Sequence, residues 1–377
     1  MERNTRNRKR KNEISYFDYS LLFITVFMIC FGLVILYSAS SYEASIHFNN
    51  SKYYLNKQLT FVIIGSILSV FVVKMDYHIY KKPMIALGIY FGSILLSLLV
   101  ITPLGVEANG ATRWVGVGFF TLQVCEVVKV AVIIFMAFAI DRVARKIKKP
   151  GVFIACLLII LVPVAVIVLI TKDLSSGIVI AAIGIVMLFI ACHKLSYFLI
   201  IGGMGVIAFI GAVILEPFRI ERFKAWLNPE KYSDEGGYQI LQSLYSLGSG
   251  GIFGKGLGKG IQKLGYIPEA QNDMIFTVVC EELGIVGGIA LILMFIFMIW
   301  RCMIIANNAP DLFGSLIVIG VMIHIAVQTI MNIAVVTNSM PNTGVTLPFM
   351  SYGGTSILCL IIEIGLVLSV SKRIKVE

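Results

Sequence analysis

The sequence predicts an all-α integral membrane protein with ten transmembrane helices. Of its 377 residues, 58% are hydrophobic and 14% are charged, and the mean hydropathy is +0.91, whereas soluble domains carry roughly 25% charged residues. The apolar runs are continuous, unlike the alternating strands of a membrane barrel, and most approach the roughly 20 residues that a spanning helix needs. The predicted spans are 18–39, 58–73, 84–102, 121–140, 151–171, 176–192, 195–215, 274–300, 312–337 and 350–371.

The distribution of basic residues predicts the orientation. An even number of spans places both termini on one side, together with the runs Arg3 to Lys11, Arg142 to Lys149 and Lys372 to Lys375. The short loops of the other side carry few basic residues, so the positive-inside rule places both termini in the cytoplasm. The net charge of +10 therefore reflects membrane orientation rather than nucleic-acid binding.

The chain is predicted to form one membrane domain, residues 18–371, between a basic cytoplasmic tail at 1–17 and a cytoplasmic tail at 372–377. Within the domain, residues 216–273 form a large extracytoplasmic loop between spans seven and eight. The apolar spacing in "YQILQSLYSL" predicts a short helix at the membrane interface.

A glycine-rich segment, "GSGGIFGKGLGKG" at Gly248 to Gly260, follows that helix in the large loop. Its spacing does not fit a nucleotide-binding P-loop, so a flexible hinge is expected. Lys255, Lys259 and Lys263 would face an anionic headgroup if the loop lies on the outer leaflet.

Two charged residues, Glu126 and Lys129, lie three positions apart within the fourth span. A charge at the centre of a bilayer costs about 2.5–3.5 kcal/mol on insertion scales, so such residues pair or face a cavity. A structural ion pair that joins helices and a polar cavity that accepts a charged substrate both remain open.

Further charges flank the spans on the predicted outer side. Arg113 in "NGATRWVGVG" lies on an outer loop, and Asp173 follows Lys172 near the end of span five. A local pair between Lys172 and Asp173 is the simpler interpretation. The alternative is that Arg113, Lys129 and Lys172 together bind a diphosphate.

Asp273 in "PEAQND" directly precedes the eighth span. Pro268 ends any earlier helix, so one interpretation is a helix cap. A carboxylate at the mouth of a cavity can also act as a general base or bind a divalent cation. Glu281 and Glu282 would lie roughly 12 Å deeper on the same helix, where they could line the same cavity or pair with Lys129.

Cysteine and histidine residues predict neither disulfides nor a metal site. The seven cysteines are scattered through apolar stretches, and the four histidines, His324 among them, show no ligand spacing. Packing and ordinary loop roles are expected for both.

Several motifs together point to one family. They are "GLVILYSAS", "NGATRWVGVG", "EVVK", "YQILQSLYSLGSGGIFGKGLG", "YIPEAQNDMIFTVVCEELGIVGG" and "NIAVVTNSMPNTGVTLPFMSYGGTS". With them the chain resembles, over nearly its whole length, the SEDS family of FtsW, RodA and SpoVE. The resemblance implies ten spans with cytoplasmic termini in the bacterial plasma membrane.

The resemblance also implies an activity, a peptidoglycan glycosyltransferase that polymerises lipid II into β-1,4-linked strands and releases undecaprenyl diphosphate. This activity would contribute to cell-wall synthesis in cell division or sporulation, with a class B penicillin-binding protein as the partner. Asp273 would be the catalytic residue. The substrate would contact Arg113, Glu126, Lys129 and Asp173, and the two deeper glutamates, Glu281 and Glu282, are added to this set of expected substrate contacts. Mg²⁺ or Mn²⁺ could take part, with Asp273 as a ligand, and no organic cofactor is expected. A lipid II flippase and a non-catalytic scaffold for the penicillin-binding protein are the alternatives.

Overall fold

The computed structural model describes residues 14–108, 111–117, 120–233 and 237–376. Most of the predicted basic tail at 1–17 lies outside these ranges. Within them the chain forms twelve α-helices: α1 Tyr19–Phe48, α2 Tyr53–Lys74, α3 Pro83–Leu98, α4 Val124–Val143, α5 Pro150–Ile170, α6 Leu174–Ala191, α7 Leu195–Ile214, α8 Pro217–Leu227, α9 Gly237–Ser249, α10 Ile275–Asn307, α11 Leu312–Val336 and α12 Gly354–Ser371.

The all-α membrane class is confirmed. Nine helices in the described part of the chain are long and apolar enough to cross a bilayer. The helix α4, at the place of the fourth predicted span, is not among the nine; it carries Glu126, Lys129, Asp141 and Arg142. The exact count of ten spans therefore stays a prediction.

The first and last described residues lie on one side of the bundle. A short strand β1, Ile14–Ser15, pairs antiparallel with the last strand, Lys375–Val376. This side is called the terminal side below. It is the side that the sequence analysis assigned to both tails.

The helices α1 and α10 are tied together at two levels. Arg301 donates to Asp18 at 2.6 Å, and Ser38 donates to Glu282 at 2.7 Å. Asp18 and Ser38 are separated by about 30 Å of helix, which matches the hydrocarbon thickness of a bilayer. The turns of α1 and α10 beyond the second tie, and Asp273 with them, therefore lie on the side of the bundle opposite Asp18 and Arg301.

The centre of the bundle is formed by α11 and α12, which are the most buried spans. The helix α11 packs on α4, α6 and α10, and α12 packs on α2. A Cβ added at Gly320 of α11 would lie 2.7 Å from Ile133 and 3.0 Å from Met187. The three helices α4, α6 and α11 therefore meet without a gap at this level.

A small antiparallel sheet, which the sequence analysis did not predict, precedes α4. Its strands are β2 Gly105–Ala108, β3 Ala111–Val117 and β4 Phe120–Gln123, with β3 in the middle. Thr112, Trp114 and Val115 are residue types that are common in strands, and Val115 is buried. The predicted outer loop around Arg113 is therefore a strand, and α4 begins at Val124 rather than at 121.

The predicted large loop contains two helices rather than one. The expected interfacial helix is found as α9, and α8 is an addition. The glycine-rich segment after α9 is not a free hinge, because it binds to a break in α10 at Gly284, whose φ is 71°. The amides of Lys255 and Gly256 donate to the carbonyls of Glu281 and Glu282 at 3.0 and 2.9 Å.

Candidate active site

A cavity of about 610 Å³ opens on the side opposite the termini. Its walls come from α2, α4, α6, α8, the strands β3 and β4, the segment that follows α11 and the segment that precedes α10. It brings together residues that are far apart in the sequence. Five of the predicted site residues line it: Arg113, Glu126, Lys129, Asp173 and Asp273.

Lys129 and Glu126 form the floor of the cavity. The Lys129 ammonium donates to Glu126 at 2.7 Å and to Gln328 of α11 at 3.4 Å, and both charged side chains are almost fully buried. Gln328 donates in turn to Thr346 at 3.1 Å. The ion pair is thus internal to α4, and Gln328 links it to α11.

Glu126 retains binding capacity. Its Oε2 atom is buried and has no hydrogen-bond partner within the described residues. Buried polar atoms are normally satisfied by protein or ordered water. A carboxylate oxygen of this kind can accept a hydrogen bond from a substrate hydroxyl.

Asp273 lies in the turn just before α10. Met274, not Asp273, holds the cap position, and no side chain caps the helix there, so the capping interpretation is wrong. The Asp273 carbonyl accepts from Asn332 of α11 at 2.7 Å. Its carboxylate atom Oδ1 is buried without a partner in the described ranges. The acid is therefore held by its backbone while its side chain stays available.

The surroundings of Asp273 suit a base that works near neutral pH. Burial raises the pKa of Asp273 to about 7, and the nearby negative charge of Glu269 adds to the rise. The positive charge of Arg222 acts in the opposite direction. A carboxylate with a pKa close to the working pH is an efficient general base.

Asp173 caps α6. Its two oxygens accept from the Ser176 amide at 3.0 Å and the Ser176 hydroxyl at 2.7 Å. Lys172 has a left-handed φ of 54°, its side chain is exposed, and it is not among the described residues that line the cavity. The local pair with Asp173 is therefore wrong, and so is the placement of Lys172 in a diphosphate site.

Arg222 of α8 is a cavity residue that the sequence analysis missed. Its guanidinium donates to the Asn342 carbonyl at 3.0 Å and lies 4.3 Å from the centre of the Phe218 ring. Burial and the neighbouring charge of Arg113 lower the pKa of Arg222, while the negative charges of Asp273 and Asp173 oppose this effect. The available signal was the mixed apolar and basic pattern of "PFRIERFKAWL", which is typical of a short amphipathic helix.

The rim of the cavity is formed by the segment between α11 and α12. Gln58 of α2 donates to the Ser351 carbonyl at 3.1 Å and accepts from the Gly353 amide at 3.1 Å. The Tyr352 amide donates to the Gln271 carbonyl at 2.8 Å. This non-helical segment is thus hydrogen-bonded to α2 and to the turn that contains Asp273.

Glu281 does not line the cavity. Its fully buried carboxylate accepts from the Lys255 ammonium at 2.7 Å and from the Ile261 amide at 2.9 Å. The prediction that it shares the cavity or pairs with Lys129 is wrong, because the glycine-rich loop folds back onto it.

Glu282 binds the same loop. It accepts from the Gly258 amide at 2.9 Å, from Ser38 and from the Lys263 ammonium. Its predicted place beside the cavity is wrong for the same reason. Lys255 and Lys263 are consequently neutralised by carboxylates rather than presented to a headgroup, whereas Lys259 remains exposed.

The acidic side chains of the cavity are the candidate ligands for a divalent cation. No group of three His, Cys, Asp or Glu side chains that could hold a metal ion occurs in the part of the chain that the structure describes. Both Asp173 oxygens are engaged by Ser176, and one Glu126 oxygen is engaged by Lys129. The protein alone therefore does not fit a closed oxygen-ligand site of the kind that these ions prefer.

Comparison with known proteins shows the family to which the chain belongs. The family model described as "Cell cycle protein", for FtsW, RodA and SpoVE, matches residues 19–376. The chain belongs to the FtsW/RodA/SpoVE family. It is 38% identical over 357 residues to stage V sporulation protein E of Bacillus subtilis, covering 94% of this chain and 97% of that protein. It is 37% identical over 366 residues to the probable peptidoglycan glycosyltransferase FtsW of Trichlorobacter lovleyi, covering 96% and 95%.

Solved structures of FtsW/RodA/SpoVE-type proteins share the fold. A chain from a structure described as "Structural coordination of polymerization and crosslinking by a peptidoglycan synthase complex" superposes with a TM-score of 0.80 at 25% identity. The match covers 95% of this chain and 98% of that one. The rod shape determining protein RodA of Thermus thermophilus superposes with a TM-score of 0.71 at 25% identity, covering 96% and 98%.

Proposed function

We propose that the chain is a peptidoglycan glycosyltransferase that polymerises lipid II into β-1,4-linked glycan strands, in division or in sporulation. One observation carries this proposal. A buried carboxylate with a pKa near 7, Asp273, shares a cavity with the cations Arg113, Lys129 and Arg222. That is the combination needed to activate a sugar hydroxyl next to a departing diphosphate. The names of the FtsW relatives and the match to a peptidoglycan synthase complex support it.

In this mechanism Asp273 removes the proton from the 4-hydroxyl of the acceptor GlcNAc. The hydroxyl oxygen attacks the anomeric carbon of the donor sugar as the bond from that carbon to the diphosphate oxygen breaks. A single displacement inverts the anomeric centre. One carboxylate suffices, because undecaprenyl diphosphate leaves as a stable anion and needs no proton, unlike the leaving group of a glycosidase.

The departing diphosphate is stabilised by fixed cations. Arg113 has a buried Nε atom with no partner in the described ranges, and Arg222 uses one of its N–H groups on a carbonyl. Both guanidinium groups therefore keep donors for phosphate oxygens, which they bind in bidentate fashion. Lys129 at the floor adds a third positive charge, and such preorganised charge lowers the barrier where negative charge develops.

Any requirement for Mg²⁺ or Mn²⁺ is met, in this proposal, by an ion that the diphosphate oxygens themselves bind. In the described lining, Asp273 and Glu126 each have one carboxylate oxygen without a partner, and two such oxygens are too few for a protein-held site. No catalytic step is assigned to a metal.

The flippase alternative requires a polar path to the terminal side. Below Lys129 the cavity ends, because Ile133 of α4 and Met187 of α6 are fully buried around Gly320 of α11. This packing favours a polymerase whose substrates stay on one side of the membrane.

We further propose the orientation and the partner. The positive-inside rule places the terminal side in the cytoplasm, so the cavity opens outside the cell, where lipid II is polymerised. A class B penicillin-binding protein would cross-link the product, and the fold match to a synthase complex is consistent with such an assembly.

The test is a polymerisation assay with labelled lipid II, purified protein and its cognate penicillin-binding protein. Wild type is expected to form glycan chains, and Asp273→Asn is expected to form none. Asp76→Asn provides the matched control, since this half-exposed acid lies on the terminal side and should leave polymerisation unchanged.

Each alternative has its own outcome. Normal polymerisation by a folded Asp273→Asn variant would refute the catalytic role and favour a scaffold. If wild type makes no polymer but moves labelled headgroups across liposomes, the flippase is the better account.

A further inference from the structure

A second buried ionisable pair lies deeper in the bundle. His324 of α11 and Glu363 of α12 are in contact through Nδ1 and Oε2 at 2.8 Å, and both side chains are fully buried. The other polar atoms, His324 Nε2 and Glu363 Oε1, have no partner among the described residues. Ionisable groups inside a membrane are costly and commonly functional, so packing alone does not explain this pair.

The pair is the next polar layer beneath the cavity floor. His324 lies one helical turn from Gln328 on the same face of α11, and Gln328 accepts from Lys129. His324 is within electrostatic range of Glu126, and Glu363 is within range of Lys129. A change of charge at the pair is therefore felt at the floor.

Other helices packed on α11 and α12 add no charge at this depth. The sequence of α6 has no charged residue, α2 has none between Lys57 and Lys74, and α10 has none between Glu282 and Arg301. The thiols of Cys125 on α4 and Cys359 on α12 are the remaining titratable groups near the floor. Glu126, Lys129, His324 and Glu363 thus form one electrostatic unit.

The cavity itself has no excess positive charge when all its groups are ionised. Its cationic lining residues are Lys57, Arg113, Lys129 and Arg222, and its acidic ones are Glu126, Asp173, Glu269 and Asp273. An entering diphosphate therefore brings negative charge that this lining does not fully offset. Proton uptake by a nearby group would offset this negative charge. If Asp273 took up the proton, however, it could no longer act as the proposed base.

We propose that the His324–Glu363 pair takes up one proton when an anionic diphosphate enters the cavity, and so leaves Asp273 ionised. In the empty protein a neutral His324 donates its Nδ1 proton to ionised Glu363. The added proton comes from solvent, binds the free Nε2 atom and is released when the diphosphate leaves. The proposal rests on the diphosphate binding proposed above.

The test counts protons directly. Binding of farnesyl diphosphate is measured by titration calorimetry in two buffers of different ionisation enthalpy, with the Asp273→Asn protein so that this acid does not titrate. We expect uptake of roughly one proton per ligand, and its loss when His324→Gln and Glu363→Gln are added. The single change His324→Gln, which keeps a hydrogen-bonding group beside Glu363, serves as a second variant should the other fail to fold. Thr329→Val on α11 is the control and should retain the uptake.

The result that overturns the proposal is equal proton uptake with and without the pair. Lipid II polymerisation by the wild type, measured in parallel, separates the two proposals. If the wild type polymerises lipid II but proton uptake is the same with and without the pair, only the role of His324 and Glu363 is refuted. Absence of both polymerisation and farnesyl diphosphate binding refutes the proposed function as well.

Discussion

Replacing Asp273 by Asn should stabilise the protein while it abolishes polymerisation. The folded protein raises the pKa of Asp273 from 3.8 to about 7, and the residue is only 8% exposed. Each unit corresponds to 1.36 kcal/mol, so ionised Asp273 reduces the free energy of unfolding by up to about 4 kcal/mol. Asn cannot ionise and has nearly the same size, so it removes this cost.

The sign of the effect sets its pH dependence. Below about pH 4 the carboxyl is neutral in both states and the two proteins should be equally stable. The advantage of Asp273→Asn grows between about pH 4 and about pH 7, where the carboxyl is ionised in the unfolded protein but neutral in the folded one, and is constant above about pH 7, where both states are ionised. Polymerisation by the wild type should rise around pH 7, as the folded-state carboxyl ionises.

The assay is thermal unfolding of both proteins in one detergent from about pH 5 to about pH 8. A difference in midpoint that widens with pH supports the reasoning. A difference that is constant across this range, or a variant that is less stable at about pH 8, would refute it.

Three further predictions concern the cavity and the loop. Lys129→Met removes the ion-pair partner of the buried Glu126, so the thermal midpoint should fall by the equivalent of about 3–5 kcal/mol and recover when Glu126→Gln is added. An unaltered midpoint in the single variant argues against the pair. Arg222→Gln should raise KM for lipid II more than it lowers kcat, with partial recovery in Arg222→Lys, and an unchanged KM would exclude Arg222 from substrate binding. Gly284→Ala adds a Cβ against the Ile252 carbonyl oxygen at a φ of 71°, so proteases should cut the glycine-rich loop faster, and equal cleavage rates would contradict this packing.

Individual residues show how much of the candidate site could be predicted from the sequence. Glu126 and Lys129 stood out because charges are rare in spans, and the structure places both at the cavity floor. Asp273 and Arg113 are separated by 160 positions in the sequence, and it was the family resemblance, not composition, that grouped them. Long-range proximity of this kind depends on helix packing, which hydropathy does not encode.

Three misses have physical causes. Arg222 sits on a short helix inside a segment that looked like a loop, since eleven residues give little periodic signal. Glu281 and Glu282 were placed by extending a regular helix, but the break at Gly284 lets loop backbone approach and occupy their carboxylates. Strand β3 was overlooked because it has only seven residues and these do not alternate strictly between polar and apolar side chains.

The break at Gly284 also has a mechanical consequence. The upper turn of α10, which follows Asp273 directly, is joined to the rest of that helix through a residue with non-helical dihedral angles. The hydrogen bonds that bridge this joint come from the glycine-rich loop, whose Phe253 and Leu257 side chains point into solvent or lipid. The position of Asp273, the proposed base, is therefore coupled to an exposed surface outside the cavity, and a ligand that shifts this loop is expected to shift Asp273 as well.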